Sequence, residues 1–496
     1  MTSSPFCRYQ VNVLTFARTW AEKICVKKQM IRCFVSVVVK ALVLLITLAV
    51  TISVRPAVAQ PRYSPASGAS RMVARSEVNA PLDATRRRPP IALKPKSPNA
   101  PLVLMSISGG GSRAAYYAAC VMEQLAAAPS PSGRGSILDE VRVISGISAG
   151  SLAAAWFSLH YHERHTPDFF TRFKSAMATN LQWRTYGHMV VFPPLALELV
   201  ATPITRTDLL ANEMEHLLGA GPVTFDDLLD LETDPQDPAP ILILNGTALN
   251  TGQRFVMTNL PATRFPSQLP LVGPRVSLSP TDQAILKRLV QPLTFEDIGS
   301  DIGSFRVARA VAASAAYPVL LAPVRLNLYP DRVPQELRDR SDEVLLESKY
   351  LYIADGGVYE NQGIDPLLSL IRTLPRSQPI LLIVIDGSQR METVKVTGHK
   401  IWDPYSVIRR LYDIGTMRPL AFYGSALKEF HDPNAFDGVF IRMEGYEPGM
   451  DEFLQSIPTL FKLSRRHREA LDSAASENVA RMEKTLERAY RRLLRR

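Results

Sequence analysis

From Leu102 the chain alternates short apolar runs with segments of helical spacing. LVLMSI ends at Gly109-Gly110-Gly111 and is followed by SRAAYYAACVMEQLAA, in which apolar residues recur every three to four positions. That order predicts strand, glycine turn, helix. Val141–Ser145 repeats it, with a tight turn at Gly146–Gly150 before SLAAAWFSLHYHER. Two such units in succession predict a parallel sheet covered by helices, of the doubly wound α/β class. Ile241–Leu244, Leu351–Ala354 and Ile380–Ile385 are further strand candidates for the same sheet, and the tail from Ser464, rich in helix formers with charges of both signs, predicts a terminal helix.

The pattern upstream of Leu102 is different. Residues 60–100 hold seven prolines among Ser, Ala and Arg, with no periodicity, and predict a linker. The run from Cys33 to Val54 is apolar except for Lys40 and a few hydroxyls and follows a basic segment, the polarity of an export signal. Two readings fit. Ala41–Val54 has the length of a signal-peptide apolar region, with Ala57-Val58-Ala59 as a small-x-small cleavage site before Gln60, and this is the preferred reading. Alternatively, all of 33–54 is one membrane span. Both place residues 60–496 outside the cytoplasm, either exported or membrane-anchored.

Net charge sharpens the division. The 496 residues carry +10, but residues 101–461 alone carry −9, and the positive charge sits in the leader, the 60–100 linker and the tail from Lys462. A nucleic-acid-binding protein would concentrate Lys and Arg on its folded domain, so this distribution argues against one. It agrees with an acidic domain held to an anionic bilayer by its basic appendages. Of four cysteines only Cys120 lies beyond the leader, in an apolar helical pattern, which excludes an internal disulfide framework and predicts a small core residue.

Three motifs carry chemistry. Gly146-Ile147-Ser148-Ala149-Gly150 fits G-x-S-x-G and lies after a strand and before a helix. Small flanking residues there let the backbone turn sharply and project the serine from the sheet's carboxyl edge. Gly109, Gly110 and Gly111 supply amides without side chains, and a helix N-terminus follows, so they are candidate oxyanion donors with Arg113 as support. The rival reading of this turn, a nucleotide-phosphate loop, is disfavoured because neither G-K-[ST] nor G-x-G-x-x-G is present. Asp355-Gly356-Gly357 places a carboxylate at a strand end on the predicted site edge. His160, His162 and His165 lack the i, i+4 spacing of a helical zinc pair and read as a polar helix end. The apolar, proline-broken segment 189–204 fits a lid or interfacial surface as well as core packing.

SGGGSR, GISAG and DGG, in that order, resemble the oxyanion loop, nucleophile elbow and dyad aspartate of patatin-like phospholipases. The resemblance spans roughly residues 101–460. It extends to ARAVAASAAYPVLLAPV (308–324) and SIPTLFKLSRRHREAL (456–471). It implies a three-layer α/β/α sandwich with a mostly parallel sheet and a Ser148–Asp355 dyad, with Gly109–Gly111 as oxyanion loop and Gly146, Gly150 and Gly356 in support. It implies action on lipid or phospholipid acyl esters at a membrane surface, without metal or cofactor. Ser108, where the family often carries Asp, and Ala114, where Gly is usual, depart from the pattern and touch the loop's support. The division that follows is 1–59 leader or anchor, 60–100 basic linker, 101–460 hydrolase domain and 461–496 basic helix. Two rival readings are an α/β-hydrolase triad of Ser148, Asp386 and His431, and a catalytically silent membrane-associated binding protein.

Overall fold

The computed structural model describes residues 79–83, 85–86, 88–181, 205–219, 222–267, 279–318, 320–340, 343–390, 432, 434–459 and 462–494. All lie in the second of the chain's two compact units, Met1–Ala74 and Arg75–Arg496. The 33–54 segment, the cleavage point at Ala59, the 189–204 segment and His431 fall outside the described residues.

The apolar runs form a mixed, largely parallel sheet. Its strands are β1 (Leu102–Ile107), β2 (Val141–Ile147), β3 (Ile241–Ala248), β4 (Gln253–Met257), β5 (Val324–Asn327), β6 (Tyr350–Asp355), β7 (Ile380–Asp386) and β8 (Phe436–Arg442). Strands β8, β7, β1, β2 and β3 are neighbours in that order and all parallel. The central four are buried at every position, as continuous apolar runs in a sheet covered on both faces require. Alternate side chains enter two cores. Val103, Met105 and Ile107 join one with helices α1 (Gly111–Ala127) and α2 (Ala149–Leu159), while Leu102 and Leu104 join the other with α4 (Asp365–Ile371).

The predicted strand at Leu351–Ala354 belongs to this sheet, but it runs antiparallel to β3, as does β4. Strand β2 pairs with β3 as far as Asn245, and β6 begins its pairing at Gly246. Because β4 pairs with β3 across Leu244–Ala248, it overlaps both partners and must occupy the other edge. Strands β2 and β6 therefore meet end to end along one edge of β3. The end of β2 and the end of β6 abut there.

Part of the proline-rich 60–100 segment is fastened to the domain. Ala80–Pro81 pairs antiparallel with Ser300–Asp301, Arg86 and Arg88 bond Asp226 at 2.6 and 2.8 Å, and Ser97 donates to Glu140 at 2.6 Å. These single-residue attachments have no period, so hydrophobic patterning cannot register them. The terminal helix, α5 (Arg465–Leu494), packs Leu471, Ala475, Val479, Leu486, Tyr490 and Leu493 into the core.

Candidate active site

Ser148 is the residue after β2 and caps α2 with φ 53° and ψ −125°. Only it and Asn99 among the described non-glycine residues have positive φ. Such a conformation costs an L-residue about 1–3 kcal/mol and persists only where the surroundings over-determine it. Here they do. A Cβ on Gly146 would lie 2.6 Å from the Ser151 Cα, and one on Gly150 would lie 2.7 Å from the Ile107 carbonyl oxygen. Both positions must be glycine for the turn to close against β1.

A hydroxyl absent from the predicted site holds the turn. Ser314, at the end of α3 (Val307–Ser314), is fully buried. Its oxygen accepts the Ser148 backbone N–H at 3.0 Å, and its hydroxyl donates to the Asn245 carbonyl at 2.5 Å. The Ser151 hydroxyl lies 2.7 Å away and can donate to its remaining lone pair. Asn245 in turn donates its side-chain N–H groups to the Ser145 hydroxyl and the Gly146 carbonyl, each at 3.0 Å. Polar residues inside otherwise apolar runs, Ser145 and Asn245, were the available sequence signal for this network.

The Ser148 hydroxyl donates to Asp355 Oδ2 at 2.8 Å. The other carboxylate oxygen accepts the Gly357 amide at 2.7 Å. The backbone of Asp355 is fixed on both sides, by the Thr247 hydroxyl donating to its carbonyl (2.8 Å) and by its own N–H donating to the Ala316 carbonyl (3.0 Å). Asp355 is buried, 1% exposed. A Cβ on Gly356 would collide with the Asn245 carbonyl oxygen, so the backbone can press against β3 only as glycine. Asp355 thus reaches the site on a strand running against β3, not at the carboxyl end of another parallel strand as the sequence pattern suggests.

The three glycines do not act alike. Gly109 donates its N–H to the Asn361 carbonyl at 3.0 Å, which removes it from the predicted set of free donors. Gly110 (φ 140°) and Gly111 (φ 68°) hold conformations that L side chains rarely adopt, and their amides have no partner among the described residues. They stand at the start of α1, whose dipole adds positive potential, and α2 begins beside Ser148. Arg113 is fully buried. It donates to the Gly387 carbonyl (3.2 Å) and the Ile457 carbonyl (2.9 Å), bracing the loop from behind. Asn361, six residues past Asp355, has its side-chain oxygen against Gly109; nothing in its local sequence marked it.

Both departures from the family pattern are absorbed locally. The Ser108 hydroxyl accepts the Gly387 amide at 3.0 Å, tying the ends of β1 and β7. Ala114 packs against Gly110 and Gly387, where Cβ atoms would come within 3.0 Å of its own. Asp386, the acid of the rival triad, is held by the Ser388 hydroxyl, its amide and Arg442. The three histidines have separate environments: His160 stacks on Trp156, His162 meets the Asp237 carbonyl, and His165 lies 3.4 Å from Asp139. Cys120 is buried, its thiol pushed up by burial and bonded to Asp472.

A mixed, largely parallel sheet with a strained serine turn, a carboxylate on the serine hydroxyl and glycine amides left open among the described residues is an arrangement that can attack a carbonyl. The patatin-like phospholipase model matches residues 105–368, and the chain belongs to that family. Among solved structures it is similar to human GIVD cytosolic phospholipase A2 at 12% identity and TM-score 0.44, covering 80% of this chain and 63% of that one. It is also similar to VipD from Legionella pneumophila, at 11% identity and TM-score 0.27 with 82% and 72% covered. A third likeness is to ExoU of Pseudomonas aeruginosa in its complex with SpcU, at 13% identity and TM-score 0.26 with 86% and 61% covered. The chain thus spans less than two thirds of the length of the human enzyme. No curated protein sequence matches it.

Proposed function

We propose that this chain is a serine acyl-ester hydrolase acting on lipid or phospholipid esters through Ser148 and Asp355. The observation that carries the reading is the 2.8 Å bond from the serine hydroxyl to a carboxylate whose other oxygen is already held. Ser148 Oγ attacks the ester carbonyl carbon as its proton passes to Asp355 Oδ2. The oxygen that gains charge is met by the amides of Gly110 and Gly111; donors of this kind typically contribute a hundredfold or more. Asp355 returns the proton to the departing alcohol, and a water deprotonated by Asp355 then releases the fatty acid.

The same reading assigns a three-layer α/β/α sandwich over residues 101–460, a leader or anchor over 1–59, a basic linker over 60–100 whose Ala80–Pro81 is paired to the domain, and a basic helix over 461–496. Export with cleavage after Ala59 belongs to it and fails if the mature N-terminus begins elsewhere than Gln60.

The test of function is fatty-acid release by purified protein from diacyl phospholipids, neutral glycerides and short-chain esters, read by mass spectrometry. Release from at least one lipid class, abolished in Ser148→Ala, is the expected result. A folded protein that releases nothing from any of them overturns the proposal.

A further inference from the structure

Seven large apolar side chains are exposed among the described residues, and five of them, Leu249, Ile285, Leu289, Tyr352 and Val358, lie on segments that touch one another near the end of β3, where a Cβ on Gly252 would lie 3.4 Å from the Leu289 side chain. Leu249 follows β3 and donates its N–H to the Tyr352 carbonyl on β6 at 2.9 Å. Val358 adjoins Tyr359, whose hydroxyl donates to the Leu289 carbonyl at 3.2 Å, and Ile285 lies one turn before Leu289 on the helix Pro280–Val290. This is the carboxyl edge of β3, where β6 delivers Asp355.

The β5–β6 pair is two-sided. Val324, Leu326, Leu351 and Ile353 are buried in the core, while Arg325, Asn327, Tyr350 and Tyr352 line the opposite face, which remains partly or fully open. On that face Arg325 lies 4.8 Å and Lys349 5.4 Å from the Tyr350 ring centroid. Tyrosines with apolar neighbours and flanking cations match the headgroup layer of a bilayer, where rings sit at the boundary and cations meet phosphates. Residues 101–461 carry −9 overall, while the 60–100 segment and the terminal helix are basic, so within 101–461 this pair of cations stands out against acidic surroundings as a place for an anionic surface.

We propose that the open face of β5–β6, with Leu249, Val358 and Leu289 beside it, docks on an anionic lipid bilayer and sets the Ser148 site at the membrane surface. The proposal rests on the lipid-hydrolase reading but is testable apart from it.

The full chain is sedimented with vesicles of non-hydrolysable diether phosphatidylcholine, with and without diether phosphatidylglycerol. Tyr350→Ser combined with Tyr352→Ser is expected to weaken binding about tenfold, the effect of losing about 1.4 kcal/mol of ring burial. Arg325→Gln or Lys349→Gln is expected to weaken binding to anionic vesicles by about fivefold each and leave neutral vesicles unaffected. Turnover of a short soluble ester stays within about twofold in every variant, since none touches the reacting groups. Vesicle-induced protection of residues 350–352 from hydrogen exchange in the unaltered protein gives the same answer should the double variant not fold.

Binding insensitive to all four substitutions overturns the proposal, as does soluble-ester turnover that falls in step with vesicle binding. A dimer in solution that Tyr352→Ser dissociates overturns it in favour of a self-association face. Vesicle binding that follows these expectations in a protein hydrolysing no ester supports the docking face while refuting the hydrolase.

Discussion

The chain builds the same local form twice, a buried parallel strand, a glycine-rich turn and a helix, yet the two turns are stabilised by opposite means. After β1 the turn is all glycine, and its φ values of 140° and 68° are ones only glycine holds without strain. After β2 the turn must carry a side chain, so Ser148 takes φ 53° and the surroundings hold it there through Ser314, Gly146 and Gly150. One turn presents backbone and sheds side chains; the other presents a side chain and accepts backbone strain. The carboxylate joins them from a third route, a strand of reversed direction.

Replacing Ser148 separates function from strain and has the largest expected effect. Ser148→Ala should reduce turnover by about 10⁶-fold and leave the fold intact. Ser148→Gly should abolish turnover equally but be more stable than Ser148→Ala by about 1 kcal/mol, because glycine tolerates the turn's φ. Equal denaturant midpoints for the two variants would mean that the turn is not strained.

The glycine turn should respond through structure. A Cβ on Gly111 meets the Thr459 carbonyl oxygen, so Gly111→Ala should destabilise by about 2 kcal/mol or more and displace an amide proposed to meet the oxyanion, with a roughly hundredfold loss in kcat. Full activity in a stable Gly111→Ala protein would remove that amide from the mechanism.

Ser314→Ala leaves the Ser148 N–H without its acceptor and the Asn245 carbonyl without its donor. The expected cost is about 1–3 kcal/mol in stability, with a fall in kcat and little change in KM because the hydroxyl positions the turn and does not meet substrate. A rise in KM alone would contradict that role.

At the other edge of the sheet the expected effect on turnover is least. Glu232 is buried and accepts from the Leu242 amide and the Asn259 side chain, and burial raises its carboxyl to about 7. The unfolded chain ionises this group near 4.5 while the folded chain holds its proton up to about 7, so the group's contribution to stability is full below about pH 4.5 and falls as pH rises toward 7. The fall is on the order of 3 kcal/mol. Denaturant titrations across pH should show this slope in the unaltered protein and lose it in Glu232→Gln.

Strands β1, β2, β3 and β7, both turns and Asp355 were legible because each is marked by residue type: unbroken apolar runs, glycines where the backbone must be bare, and a carboxylate ahead of two glycines. The direction of β6 was not, because a short apolar strand reads the same whichever way it runs. Ser314 and Asn361 act through contacts made only when distant segments meet, and Gly109 looks identical to its neighbours until the Asn361 carbonyl takes its amide. The attachments of Arg86, Arg88 and Ser97 escaped for a related reason, since each is a single side chain in an aperiodic segment.

The claim that Ser148 is a nucleophile activated by Asp355 is tested most directly by reacting the purified protein with a fluorophosphonate and mapping the adduct by peptide mass. One adduct is predicted, on Ser148, absent from Ser148→Ala and formed about 10³-fold more slowly in Asp355→Asn. A folded protein that takes no adduct, takes it at another residue, or is labelled as fast without the Asp355 carboxylate contradicts the account.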